Sequence, residues 1–155
     1  MIKITKKCMA FTLFEVMVVV AILSLITGIG ALYSQTSQVR TDVNSQAATF
    51  VSYVRLAQSD AQSGRSNASH GVHLESDSYT IFIGSTYDPA ETSNYIINLP
   101  SSIVIQNSSF NGGGNDIVFD SPNGETTTYG TLEFFSSQIN QTISITITPI
   151  GTIEY

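Results

Sequence analysis

KKCMAFTLFEVMVVVAILSLITGIGALY (residues 6–33) sets one acid, Glu15, at the head of an otherwise uncharged apolar run, and the next charge is Arg40. At ~1.5 Å per residue, residues 11–33 form a helix roughly 34 Å long, enough to cross a bilayer with some tilt. An ionised carboxylate inside that bilayer costs roughly 2.5–3.5 kcal/mol at a helix centre and less near the end. Glu15 therefore needs water or a cation. Lys3, Lys6 and Lys7 stand before the run, which holds that end in the cytoplasm and places everything after it outside.

Working outward, the charge is lopsided. All three lysines lie in the first seven residues, and beyond residue 10 the cations are Arg40, Arg55 and Arg65 against twelve Asp and Glu. An excess of negative charge on that scale opposes attraction to phosphate backbones. Aromatic and β-branched residues continue to the C-terminus, so the composition is not that of a disordered chain. At 155 residues the chain suits one domain plus an appendage. The lone cysteine, Cys8, sits among the lysines. Removal of a leader would take it away, and disulfides and cysteine catalysis with it.

Three readings compete for the N-terminus. A secretory signal peptide could take its basic start from Lys3 to Lys7, its centre from Val16 to Ile26 and its small residues from Gly28-Ile29-Gly30. A lipoprotein reading of Cys8 fails because Lys6 and Lys7 occupy positions that need apolar and small residues. A permanent membrane helix is the third, and Glu15 favours it, since the apolar centre of a signal peptide gains nothing from a carboxylate at its edge.

The residues around the acid carry a resemblance. A-FTLFEVMVVVAIL (residues 10–23) resembles the class III leader of type IV pilins and type II secretion pseudopilins, in which a short basic leader and a small residue precede Phe-Thr-Leu-x-Glu. Ala10 stands where that family usually has Gly. The resemblance implies cleavage between Ala10 and Phe11 by a membrane-embedded prepilin peptidase, N-methylation of the new Phe11 amine, and Glu15 as the acid of the mature fifth position. It also implies partners: other pilin or pseudopilin subunits, the inner-membrane assembly platform, and membrane lipid before assembly. In a fibre that excludes water, a carboxylate facing the Phe11 amine of a neighbour is compensated and a misplaced one is not. Glu15 is thus expected to set the register between subunits.

The helical pattern runs on past the apolar stretch. Val39, Val43, Ala47, Phe50, Val51, Val54, Ala57 and Ala61 recur at three- and four-residue steps, an amphipathic stripe, and Gly64 is a stop signal after Ser63. One helix over about 11–63, loosened at Gly28 and Gly30, is expected. From VHLE (residues 72–75) onward the period changes to two, with YTIFI, YIINL, IVIQ, DIVFD, TLEFF, TISITIT and GTIE separated by turn signals. The expected class is α+β: a long N-terminal helix on a small antiparallel β domain of one sheet or two. The expected divisions are a leader at 1–10, a transmembrane half-helix at 11–33, an amphipathic half at 34–63 and a β-rich domain at 64–155.

VSYVRLAQSDAQSGRSNASHGVHLESDSYTIF (residues 51–82) resembles the passage from helix to first hairpin in pseudopilins of the GspH/FimT type. IVFDSPNGETTTYGTLEF and TISITITPIGTIEY are similar to their later turn and closing strands. Some FimT-like proteins bind DNA through a basic C-terminal Gly-Arg-x-Arg element; here the matching residues are Gly151, Thr152, Ile153 and Glu154, which cannot make such phosphate contacts. Nucleic acid is disfavoured as a partner.

Other sites are weaker. His70 and His73 fall on opposite faces of a strand at their spacing and read as a surface pair. NGGGN (residues 111–115) is a turn with no cation near it, and the carboxylates Asp77, Asp88, Asp116 and Asp120 match no calcium loop. Sequons at Asn67, Asn107 and Asn140 are expected by chance in so Ser/Thr-rich a chain. No catalytic constellation and no cofactor or metal site is expected, and the role implied is structural: a minor pseudopilin of a type IV pilus or secretion pseudopilus. Two rivals stand beside it: a secreted β-rich ligand-binding module with residues 1 to about 31 as signal peptide, and a DNA-binding competence pilin.

Overall fold

The computed structural model describes residues 11–155, with the side chains of 30–36 outside that description. The chain divides into two compact units, Met1–Ser37 and Gln38–Tyr155. The first secondary-structure element is a single helix, α1 (Leu13–Gln62). It is continuous through Gly28, so the expected loosening there is absent.

In the first unit every described side chain from Phe11 to Ile29 is exposed, with the large apolar ones ranging from 40% at Val18 to 81% at Leu13. The polar residues inside the run return their hydroxyls to the helix: Ser24 Oγ donates to Val20 O at 2.8 Å and Thr27 Oγ1 to Leu23 O at 2.9 Å. Burying a large apolar side chain is worth ~1.5–3 kcal/mol. Summed over a run this long, an apolar surrounding outweighs the cost of one carboxylate near the helix start many times over. Among the described residues, no helix is long and apolar enough to cross a membrane. The last residues of the expected span, 30–33, have side chains outside the described set.

In the second unit the sequence stripe does what its period requires. Val43, Ala47, Phe50, Val51, Val54, Ala57 and Ala61 are all at most 2% exposed, and Val39 is partly buried against them. Gly64, at φ 66, ends the helix in the left-handed conformation, its amide bonding to Ala61 O at 3.1 Å. A 3-10 turn over Arg65–Asn67 follows.

Eight strands then build two antiparallel sheets: β1 (His70–Leu74), β2 (Ser78–Ile83), β3 (Tyr95–Asn98), β4 (Val104–Phe110), β5 (Asp116–Phe119), β6 (Gly130–Ser136), β7 (Gln141–Ile147) and β8 (Ile153–Glu154). One sheet has the order β3-β2-β1-β5 and the other β4-β6-β7-β8. Their inner faces and the helix stripe share one core cluster. Phe50 joins all three layers: its ring meets Tyr79 of the first sheet edge-on at 5.1 Å and Phe134 of the second at 5.4 Å. The architecture is α+β, as the sequence pattern implies.

Two glycine-lined contacts fix the helix against the turns. Gln58 Nε2 donates to Gly124 O at 3.0 Å, and the same amide occupies the place of any Cβ on Gly151, whose φ is +80. The segment Gly151–Glu154 therefore serves packing: Gly151 seats Gln58, and Ile153 pairs with Ile147. In β1, a Cβ on Gly71 would meet the Phe82 ring and the Ile117 carbonyl at 2.8 Å, so the strand can pass there only without a side chain.

Candidate assembly site at the helix start

Thr12 precedes α1 and caps it. The Glu15 amide donates to Thr12 Oγ1 at 3.3 Å, and the Val16 amide to Thr12 O at 3.2 Å. Four amides at a helix start lack intrahelical partners, and a threonine in this position satisfies one of them. Glu15 is also the acid of the first turn, where the helix dipole favours negative charge. Thr12-Leu13-Phe14-Glu15 has the S/T-x-x-E spacing of a capping box. Thr12 is the residue the sequence reading missed, although that spacing announces it.

The Glu15 side chain is exposed, and no described residue pairs with its carboxylate. Around it stand Leu13, Phe14, Val16, Val18 and Val19, all exposed and apolar. The geometry is an anionic point in an apolar surface, next to the exposed Phe11 at 77%. Such a surface can be covered by lipid or protein, and the carboxylate then requires water or a cation. The remaining expected site residues, Ala10, Lys3, Lys6 and Lys7, lie outside the described residues.

The two histidines weighed in the sequence both have partners in the fold. His70 and His73 do face opposite sides of β1, but His70 is not at the surface: it is 2% exposed, on the face that carries Val72 and Leu74 into the core, and its Nε2 bonds with Arg65 O at 3.0 Å. The loop before β1 folds back over the strand end, which sequence spacing does not reveal. His73 stacks on Tyr87 with centroids 4.0 Å apart, holds Asp116 through Nδ1 at 2.5 Å, and has Glu75 at 4.0 Å from Nε2. Asp116 is its cross-strand partner in β5. Among the described residues no group of three or more His, Cys, Asp and Glu could hold a metal ion. The three sequon asparagines share a conformation: Asn67, Asn107 and Asn140 all have φ near +50. Asparagine tolerates that region better than most residues, so these positions serve turns and a bulge.

Tyr53 of α1 joins Tyr79 of β2 and Tyr95 of β3 in a tyrosine cluster. Tyr53 and Tyr95 have ring centroids 6.0 Å apart, and Tyr53 and Tyr79 6.2 Å. Hydrogen bonding to Tyr95 pushes the Tyr53 phenol above its usual value. Burial, with lesser contributions from Tyr53 and Tyr95, pushes Tyr79 well above it. The Tyr79 hydroxyl is buried with no hydrogen-bond partner among the described residues.

Comparison with known proteins bears on both parts of the chain. The prokaryotic N-terminal methylation motif matches residues 6–31. No curated protein sequence matches the chain. Among solved structures, the minor pseudopilin EpsH from the type 2 secretion system of Vibrio cholerae is similar in fold, with a TM-score of 0.55 and 16% identity over 73% of this chain and 94% of that one. The chain thus joins a prokaryotic N-terminal methylation motif to a fold similar to that of a minor pseudopilin.

Proposed function

We propose that this chain is a structural subunit, a minor pseudopilin of the GspH/FimT type, built into a type IV pilus or a type II secretion pseudopilus. The observation that carries the reading is a capped helix start bearing one acid, Glu15, with no partner among the described residues, at the head of an apolar run whose described side chains are all exposed. In this reading residues 11–33 sit in the inner membrane as a single pass with the N-terminus inside, and the β domain lies on the far side. A prepilin peptidase cuts the chain between Ala10 and Phe11, and the Phe11 amine is methylated. The assembly platform then lifts the subunit out of lipid, and its apolar helix exchanges lipid contacts for those of neighbouring helices.

Glu15 works through the cost of error. Alone in the membrane, it lies about 6 Å along the helix from Phe11 and reaches interfacial water. In the fibre its carboxylate meets the charged Phe11 amine of an adjacent subunit. A subunit slipped along the axis would bury both charges unpaired, at about 3–5 kcal/mol. The interface repeats without closing, as a fibre requires. This role is mechanical and needs no cofactor on this chain.

Mass spectrometry of the mature protein tests the reading. A chain beginning at Phe11 with one added methyl group supports it. A chain beginning near Leu32 supports the secreted module instead.

A further inference from the structure

Four strands form the edges of the two sheets, and three of them are closed. The Val118 amide of β5 donates to Thr128 Oγ1 at 2.9 Å, which covers that edge. β4 is tied at its start by the Ile105 amide bonding to Ser76 O at 2.9 Å and is bulged further on, with the register shifting between Gln106 and Ser109. β8 is two residues long and carries Glu154. These are the devices by which proteins prevent edge strands from pairing with other chains.

β3 has none of them. Tyr95–Asn98 contains no charge, no proline and no bulge, and among the described residues it pairs only with β2. Tyr95 and Ile96 are 57% and 58% exposed on opposite faces of the strand. Tyr95 borders an open groove of about 500 Å³, lined by Tyr53, Leu56, Ile81 and Ile83 together with polar residues that include the ion-paired Asp60 and Arg65. An extended segment laid along β3 would bond to its backbone, place alternate side chains in this groove and set the others beside Ile96.

We propose that the β3 edge and the tyrosine-lined groove form a strand-acceptor site for an extended segment of a different pilin-type subunit, neutral or basic and apolar at alternate positions. The partner rests on the fibre reading above. A second copy of this chain fits poorly for three reasons. Edge-to-edge antiparallel pairing of two copies relates them by a two-fold axis normal to the sheet, so their α1 helices run in opposite senses, whereas subunits anchored by the same N-terminal run share one sense. Pro100, two residues past β3, limits the ladder at each end. Charge also separates the candidates: the segment leading into β3 holds Asp88 and Glu91 and no cation, within an acidic chain. Like copies repel, and a neutral or basic strand does not.

The test uses the full-length chain in assembling cells, with a photoreactive residue at Ile96 or, separately, at Phe14 on the helix. The expected result at Ile96 is a crosslink to one defined extended segment of a different pilin-type subunit. The crosslink should be reduced by about tenfold or more in a chain also carrying Ile97→Lys and unchanged with Thr131→Lys on the other sheet. Crosslinks from Ile96 to a second copy, to lipid or to nothing, while Phe14 still captures neighbouring subunits, would overturn the strand-acceptor site and leave the fibre reading standing. Loss of capture at both positions overturns both.

Discussion

The Glu15 amide donates to Thr12 Oγ1 at 3.3 Å, so the residue that starts the helix also fixes the backbone that carries the one acid of its apolar run. With one orphan amide satisfied by Thr12 and the hydroxyls of Ser24 and Thr27 turned back to the helix, the one ionic demand of the described run is the carboxylate. An interface that excludes water must answer that demand.

Thr12→Ala removes the cap at a typical cost of about 1 kcal/mol. Amide hydrogen exchange of the full chain in detergent micelles should show the Glu15 amide exchanging several-fold faster, with the middle of the apolar run unchanged. Equal exchange in both proteins would mean that Thr12 does not hold the helix start.

Tyr79 is completely buried with its hydroxyl unpartnered among the described residues. A buried donor left unsatisfied costs about 1–3 kcal/mol. Tyr79→Phe keeps the edge-on contact with Phe50 and removes that cost, so urea unfolding should show equal or greater stability. Loss of more than about 1 kcal/mol would show that the hydroxyl is bonded in solution.

The same burial gives a pH dependence. The folded-state pKa of Tyr79 lies above the ordinary 10.0, raised first by desolvation. The folded chain therefore holds its proton where the unfolded chain has lost it, and stability falls as pH rises through and beyond 10. Tyr53, raised by Tyr95, acts in the same direction. Urea midpoints measured from neutral pH upward should drop above pH 10, and less steeply in Tyr79→Phe. An identical slope in the two proteins would remove Tyr79 from the account.

Gly71→Ala places a methyl against the Phe82 ring and the Ile117 carbonyl. Overpacking of this kind costs about 1–3 kcal/mol. Trimming the ring in a Gly71→Ala, Phe82→Leu double variant should recover only part of the loss, because the carbonyl belongs to the neighbouring strand and cannot turn aside. Full recovery in thermal unfolding would assign the whole clash to the ring.

How much was readable before the fold was known depends on the range of the interaction. The stripe from Val43 to Ala61, the stop at Gly64 and all eight strands follow from period and turn residues, which are local. The distribution of strands was not readable: β5 joins β1 while β4 crosses to β6, and these pairings are set by contacts distant in sequence. β4 runs past the expected IVIQ to Phe110 because Asn107, at φ 50, absorbs a bulge. His70 reads as a surface residue until Arg65 O closes over it. Thr12 is the reverse case, since its T-x-x-E spacing was in view and its meaning lay in the helix cap.

The register claim is tested most directly by expressing Glu15→Val together with the wild-type chain and measuring each one's share in the membrane and in isolated fibres. Equal shares in the membrane, with the variant depleted in fibres by about tenfold or more, are expected if the carboxylate must meet a neighbour's Phe11 amine. Equal shares in both fractions would contradict it.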